Sequence, residues 1–182
     1  MRPSLLVLFL IIAVGCVGDL RKQNQIDNKR NVNASEIIDE IQKRGAKAVV
    51  KAFYENCDLW NELLRRIASG EREWIEVAIY LKPGADAGAS EMLNFAVGEA
   101  IENAPETVLK AAVENYDLKE ICCGPDVDDA RYSTYSKALA TTKRRIEALQ
   151  KVEDEALQQN RDKCIGNLQE AISRLRRFFE NE

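Results

Sequence analysis

The chain has 182 residues, with 26 Lys or Arg against 30 Asp or Glu, no histidine, and 46% hydrophobic side chains. That composition belongs to a folded chain of one domain or two small ones. A net charge of −4 offers no basic surplus for nucleic acid, and the missing imidazole excludes every Ser-His, Cys-His and His-metal arrangement.

Met1–Ser4 carries one cation, Arg2, ahead of an unbroken apolar run from Leu5 to Val14. A membrane-spanning helix needs about 20 apolar residues, so residues 1–15 read as a signal peptide. The quartet Ala13-Val14-Gly15-Cys16 resembles the lipobox of bacterial lipoproteins, although Ala13 stands where that family usually has leucine. The resemblance implies lipidation at Cys16 and a membrane attachment through an N-terminal lipid. Val17, in place of the aspartate that retains such proteins at the inner membrane, implies the periplasmic face of the outer membrane. Cleavage after Gly18 by the ordinary signal peptidase, giving a soluble periplasmic protein, is the alternative. Residues 16–33 are polar and amide-rich and read as a flexible tether.

Of the five cysteines, removal of Cys16 leaves Cys57, Cys122, Cys123 and Cys164. An even number behind a secretion signal favours disulfides. A vicinal Cys122–Cys123 bond is set aside as strained, so Cys57 and Cys164 are expected to bond the two neighbours, in either order. A zinc site is disfavoured because the usual C-x₂-C spacing is absent.

The mature chain, residues 34–182, reads as a single all-α domain. Asn33-Ala-Ser-Glu36 is a cap-and-glutamate start for a helix carrying Ile37, Ile38 and Ile41 as far as Gly45. Val49, Val50, Phe53 and Tyr54 share a face in the next segment, and Leu59, Trp60, Leu63, Leu64 and Ile67 in the one after it. Trp74, Val77, Ala78 and Leu81 form a stripe that stops at Pro83-Gly84. Asp86 can cap the helix bearing Met92, Leu93, Ala96, Val97 and Ile101, and a shorter amphipathic stretch spans 106–116. Short helices joined by short loops predict an array of antiparallel neighbours over 34–130, built of helical hairpins in the manner of a solenoid.

Residues 131–182 contain no proline and a single glycine, Gly166. Tyr135, Leu139, Thr142, Ile146, Leu149 and Val152 form one seam and Cys164, Leu168, Ile172, Leu175 and Phe179 a second. An unbroken helix would carry Cys164 roughly 50 Å away from the segment's start. The expected disulfide therefore predicts a long C-terminal hairpin with its turn within 153–161. Charge divides along the same boundary: 20 acids and 10 bases over 34–130, against 8 acids and 11 bases over 131–182. Packing of the basic hairpin on the acidic array accounts for this. The clusters Lys143-Arg144-Arg145 and Arg174, Arg176, Arg177 read as solvated helix faces, with anionic lipid or an acidic protein as the alternative.

No motif for a nucleophile, phosphate loop or cofactor is found. Glu71, Glu73, Glu76 and Asp86 read as helix-surface and first-turn carboxylates. Gly124-Pro-Asp-Val-Asp-Asp129 reads as a turn and helix cap rather than a calcium loop. Trp60 and Trp74 read as core. The expected function is thus a non-catalytic, exported helical protein that binds another cell-envelope protein, with an inhibitor or immunity protein as one form. A peptidoglycan-active enzyme using carboxylates is the alternative.

Overall fold

The computed structural model describes residues 33–111 and 113–180, and residues 31–182 form one compact unit. The signal peptide, Cys16 and all of the tether but Asn33 lie outside the described residues. Every regular element is helical: α1 (Ala34–Arg44), α2 (Ala46–Tyr54), α3 (Cys57–Ala68), α4 (Arg72–Leu81), α5 (Ala87–Ala100), α6 (Pro105–Ala111), α7 (Leu118–Ile121), α8 (Tyr135–Gln150) and α9 (Gln158–Glu180). Short 3₁₀ turns occupy Lys82–Gly84, Ala130–Tyr132 and Glu155–Leu157. The fold is all-α, and no described helix is long and apolar enough to cross a membrane.

The helix boundaries follow local chemistry. Asn33 Oδ1 accepts from the Ser35 amide at 3.0 Å, and Gly45, at φ 82°, ends α1. That left-handed conformation favours glycine. Asp86 caps α5 by accepting from the Ala89 amide at 3.0 Å, as its position predicts. Asn56 and Thr134 cap α3 and α8 in the same way. The stretch expected over 106–116 breaks after Ala111, and α7, four residues long with Asp117 as its cap, follows.

Trp60 of α3 meets Met92 of α5, and past the helix ends Gly70 abuts Ala100 and Ala104. The two helices therefore run side by side in the same direction, with α4 returning antiparallel between their ends. This is the geometry of stacked helical hairpins. Trp60, Leu63, Ile67, Trp74, Ile75, Leu81, Leu93, Val97 and Ile101 form the core of the array, all nearly inaccessible. Burial of each large side chain contributes roughly 1.5–3 kcal/mol.

The C-terminal segment is an antiparallel hairpin. Tyr135 and Phe179 are in ring contact at 6.2 Å at the open end, and Arg161 Nη1 donates to the Val152 carbonyl at 2.8 Å near the turn. The reversal occupies 151–157, overlapping the first part of the expected window and ending where the residues from Gln158 onward are already helical. Asp154 supplies the turn chemistry by accepting from the Ala156 amide. One face of α8 meets α9 and the other the array, so its buried positions include Ala138, Thr141 and Arg145. Arg145, expected on a solvated face, is instead 1% exposed. The two-sided burial of α8 overrides the pattern of its neighbours Lys143 and Arg144, which remain exposed.

Candidate functional site

A groove of about 420 Å³ opens between the parallel helices α3 and α5. Its floor is apolar: Leu64 and Ala68 from α3, with Met92, Phe95 and Ala96 from α5. Behind this floor Met92 is held by Trp60, whose indole Nε1 donates to Met92 Sδ at 3.2 Å, and Tyr54 stands edge-on to Trp60 at 5.5 Å. At one end the segment 124–131 crosses as a strap and adds Asp126, Asp129 and Arg131 to the rim, beside Arg65 and Glu99.

The strap is tied down by Arg131. Its Nη1 and Nη2 donate to the two Glu99 oxygens at 3.0 and 2.9 Å, and its Nε donates to Asp129 Oδ2 at 2.9 Å. Asp129 also caps the 3₁₀ turn, and Asp126 accepts from the Asp128 amide. The sequence reading of Gly124–Asp129 as a turn and cap thus describes its hydrogen bonding. The Arg131 guanidinium holds the Asp129 carboxyl below its ordinary range. Beneath the strap lies Arg145. Its Nε and Nη1 are buried with no hydrogen-bond partner among the described residues, and burial pulls its guanidinium down despite the charges of Glu99 and Glu102.

A second polar cluster sits across α5. Lys82 Nζ donates to Ser90 Oγ at 2.7 Å and Asn94 Oδ1 at 2.6 Å, lies 3.5 Å from Glu120 Oε2, and sits 4.8 Å above the Tyr116 ring. A Ser-Lys nucleophile needs a neutral amine that accepts the hydroxyl proton. Here Lys82 Nζ is the donor, shared among Ser90, Asn94 and Glu120, and the hydroxyl is its acceptor. The cluster joins the 3₁₀ turn after α4 to α5 and α7. Its residues are far apart in sequence, so no motif signals it.

The cysteines follow the expectation in part. Cys122 is bonded to Cys164, with Cα atoms 5.3 Å apart, and this link pins α7 to α9. Cys123, expected in a disulfide with Cys57 or Cys164, carries a free thiol. The reason is geometric. Met92, Ala96 and Glu99 face the groove beside α3, whereas Asn94 and Gly98 on the opposite side of α5 meet α7: Asn94 Nδ2 donates to Glu120, and a Cβ on Gly98 would lie 2.4 Å from the Ile121 carbonyl oxygen. Cys57 on α3 and Cys123 beyond α7 are therefore separated by α5. The Cys123 thiol is half-buried, contacts the Gly124 carbonyl, and is pushed up by burial.

Other residues singled out in the sequence have structural roles. Trp60 and Trp74 are 3% and 2% exposed core residues. Glu76 pairs with Arg72 one turn away, and Asp86 is the α5 cap. No His, Cys, Asp and Glu group suited to a metal ion occurs among the described residues. The basic hairpin meets the acidic array through Arg144 with Glu102 and Arg131 with Glu99, while Lys110 of the array pairs in the opposite sense with Asp154 of the hairpin. Comparison with protein families, with curated proteins and with solved structures finds no match to this chain.

Proposed function

We propose that the protein is an exported, lipid-anchored binding module, without catalysis of its own, whose α3–α5 groove receives a basic amphipathic segment of another cell-envelope protein. The observation that carries this reading is the groove itself: an apolar floor, closed at one end by a strap bearing Asp126 and Asp129. A helix laid in such a groove buries one apolar stripe and leaves its charges on the rim. The surrounding array supplies the complementary field, with 20 acids against 10 bases over residues 34–130. Inhibition of a basic envelope enzyme or toxin is the specific form this chemistry suits best.

The test is affinity capture from envelope extracts with the wild-type domain and with Ala96→Trp, which fills the groove from a position 5% exposed at its floor. The expected result is one stoichiometric partner with a basic helical segment, captured by the wild type and lost with Ala96→Trp while the helix content stays unchanged. Capture that ignores the substitution would overturn the groove as the site. Turnover of purified peptidoglycan, abolished by a single Asp or Glu substitution, would overturn the non-catalytic reading.

A further inference from the structure

The open end of the C-terminal hairpin gathers aromatic and cationic side chains that are separate in the sequence. Phe178 is 43% exposed and stands edge-on to Phe179 at 5.1 Å, which in turn stands edge-on to Tyr135 across the hairpin at 6.2 Å. Arg174 lies one helical turn before Phe178 on the same face. Arg176, on the far side of α9, hydrogen-bonds the Tyr135 side chain, and Arg177 and Lys137 are exposed beside them. Arg174 also pairs with Glu170 at 3.8 Å and donates to the Cys123 carbonyl at 3.3 Å, and Glu180 is the other described acid on this stretch of α9. The turn at the other end carries Glu153, Asp154 and Glu155 in succession. The open end is thus the cationic and aromatic one, whereas the turn end mixes its acids with Lys151, Arg161 and Lys163.

We infer that this tip is a docking surface for an anionic phospholipid bilayer, formed by the protein itself and independent of any acyl chain on Cys16. An exposed phenylalanine flanked by Arg174 and Arg177 is the pairing an interface demands: the ring enters the headgroup boundary, and the long guanidinium stems keep their charges among the phosphates. Each cation near an anionic surface adds attraction that decays within a Debye length. An acidic protein would satisfy the arginines but gives no reason for an apolar ring at the outermost turn.

The experiment uses residues 16–182 without an acyl chain, and sedimentation with vesicles of phosphatidylcholine alone or mixed with phosphatidylglycerol. This chain is expected to bind only the mixed vesicles, and to release as salt is raised. The double substitution R174E and R176E should weaken that binding about tenfold or more, whereas K43E on α1 should not. Phe178→Trp, read against Trp60 and Trp74 that are already buried, should shift the indole emission to the blue when mixed vesicles are added. Binding to neutral vesicles as well, no binding at low salt, or an emission of the F178W variant unmoved by vesicles would overturn the proposal. So would charge-sensitive binding to polyglutamate with no binding to lipid, which would reassign the tip to an acidic protein.

Discussion

Arg131 grips Glu99 with two hydrogen bonds at 3.0 and 2.9 Å at the surface, while Arg145, 1% exposed in the same charge field, keeps Nε and Nη1 without a partner among the described residues. One carboxylate therefore serves two guanidiniums unequally. The exposed arginine takes its hydrogen bonds, and the buried one receives only its charge. This arrangement fixes the strap over the groove at the expense of the core beneath it.

Replacing Arg145 by methionine should stabilise the fold. A buried cation with unsatisfied donors costs desolvation that Coulomb attraction rarely recovers, and apolar replacements of similar volume are often neutral or stabilising by roughly 1–4 kcal/mol. The expected outcome is a higher urea midpoint at unchanged slope, equivalent to about 1 kcal/mol or more of added stability. Glu99→Gln should destabilise the wild type by about 2 kcal/mol and the Arg145→Met background by far less. A double-mutant cycle without coupling would show that Glu99 does not compensate the buried charge.

Removing the Cys122–Cys164 bond should cost about 4 kcal/mol if the loop-closure treatment holds for a separation of 42 residues. Cys164→Ser, followed by denaturant unfolding, measures it. Thiol counting on the compact unit, oxidised and denatured, should find Cys123 reactive and Cys122 and Cys164 silent. In the folded state the half-buried Cys123 should react more slowly than in denaturant, because its thiol is pushed up by burial. Equal labelling of Cys122 and Cys123 would show that the two neighbours exchange the bond.

The elements legible in the sequence are those whose ends carry their own chemistry. Gly45, Pro83-Gly84 and Asp86 mark boundaries that the structure keeps, and the turn at Gly124–Asp129 is written in its aspartates. The hairpin followed from a constraint, the need to return Cys164 to the Cys122-Cys123 pair, rather than from turn residues. What escaped depends on contacts between distant segments. The groove exists because α3 and α5 are parallel neighbours, Lys82 finds Asn94 and Glu120 only through packing, and nothing local distinguishes Arg145 from Arg144. Cys122 and Cys123 are likewise adjacent letters, and only the side of α7 on which each falls decides which one bonds.

Two glycine substitutions should move stability in opposite directions. A Cβ on Gly98 would lie 2.4 Å from the Ile121 carbonyl oxygen, a backbone atom that can yield only if α7 moves away from α5. Gly98→Ala is expected to cost roughly 1–3 kcal/mol. Gly166, in the middle of α9, has nothing within 4 Å of the added atom. Gly166→Ala should therefore stabilise by about 0.5–1 kcal/mol, by relieving the helix of glycine's backbone entropy. Thermal midpoints of the two variants, measured beside the wild type, decide both.

Acid should weaken the fold through the carboxylates that arginine holds ionised. Hydrogen bonds from Arg65 and Arg66 lower Glu62 from its ordinary 4.5 to about 2, and the bond from Arg131 lowers Asp129. A carboxylate depressed in the folded state contributes stability that is complete above its unfolded value and is lost as pH falls through the folded one. For Glu62 that window runs from about 4.5 down to about 2. Glu62 and both its arginines are partly solvated, so the contribution is expected to stay under about 1 kcal/mol. Glu62→Gln should accordingly flatten the fall of the thermal midpoint between those limits and leave the midpoint near neutral pH lower by a comparable amount. A variant that tracks the wild type in parallel across the window would show that the pair is fully screened by water, leaving Asp129 and the strap as the site where acid acts.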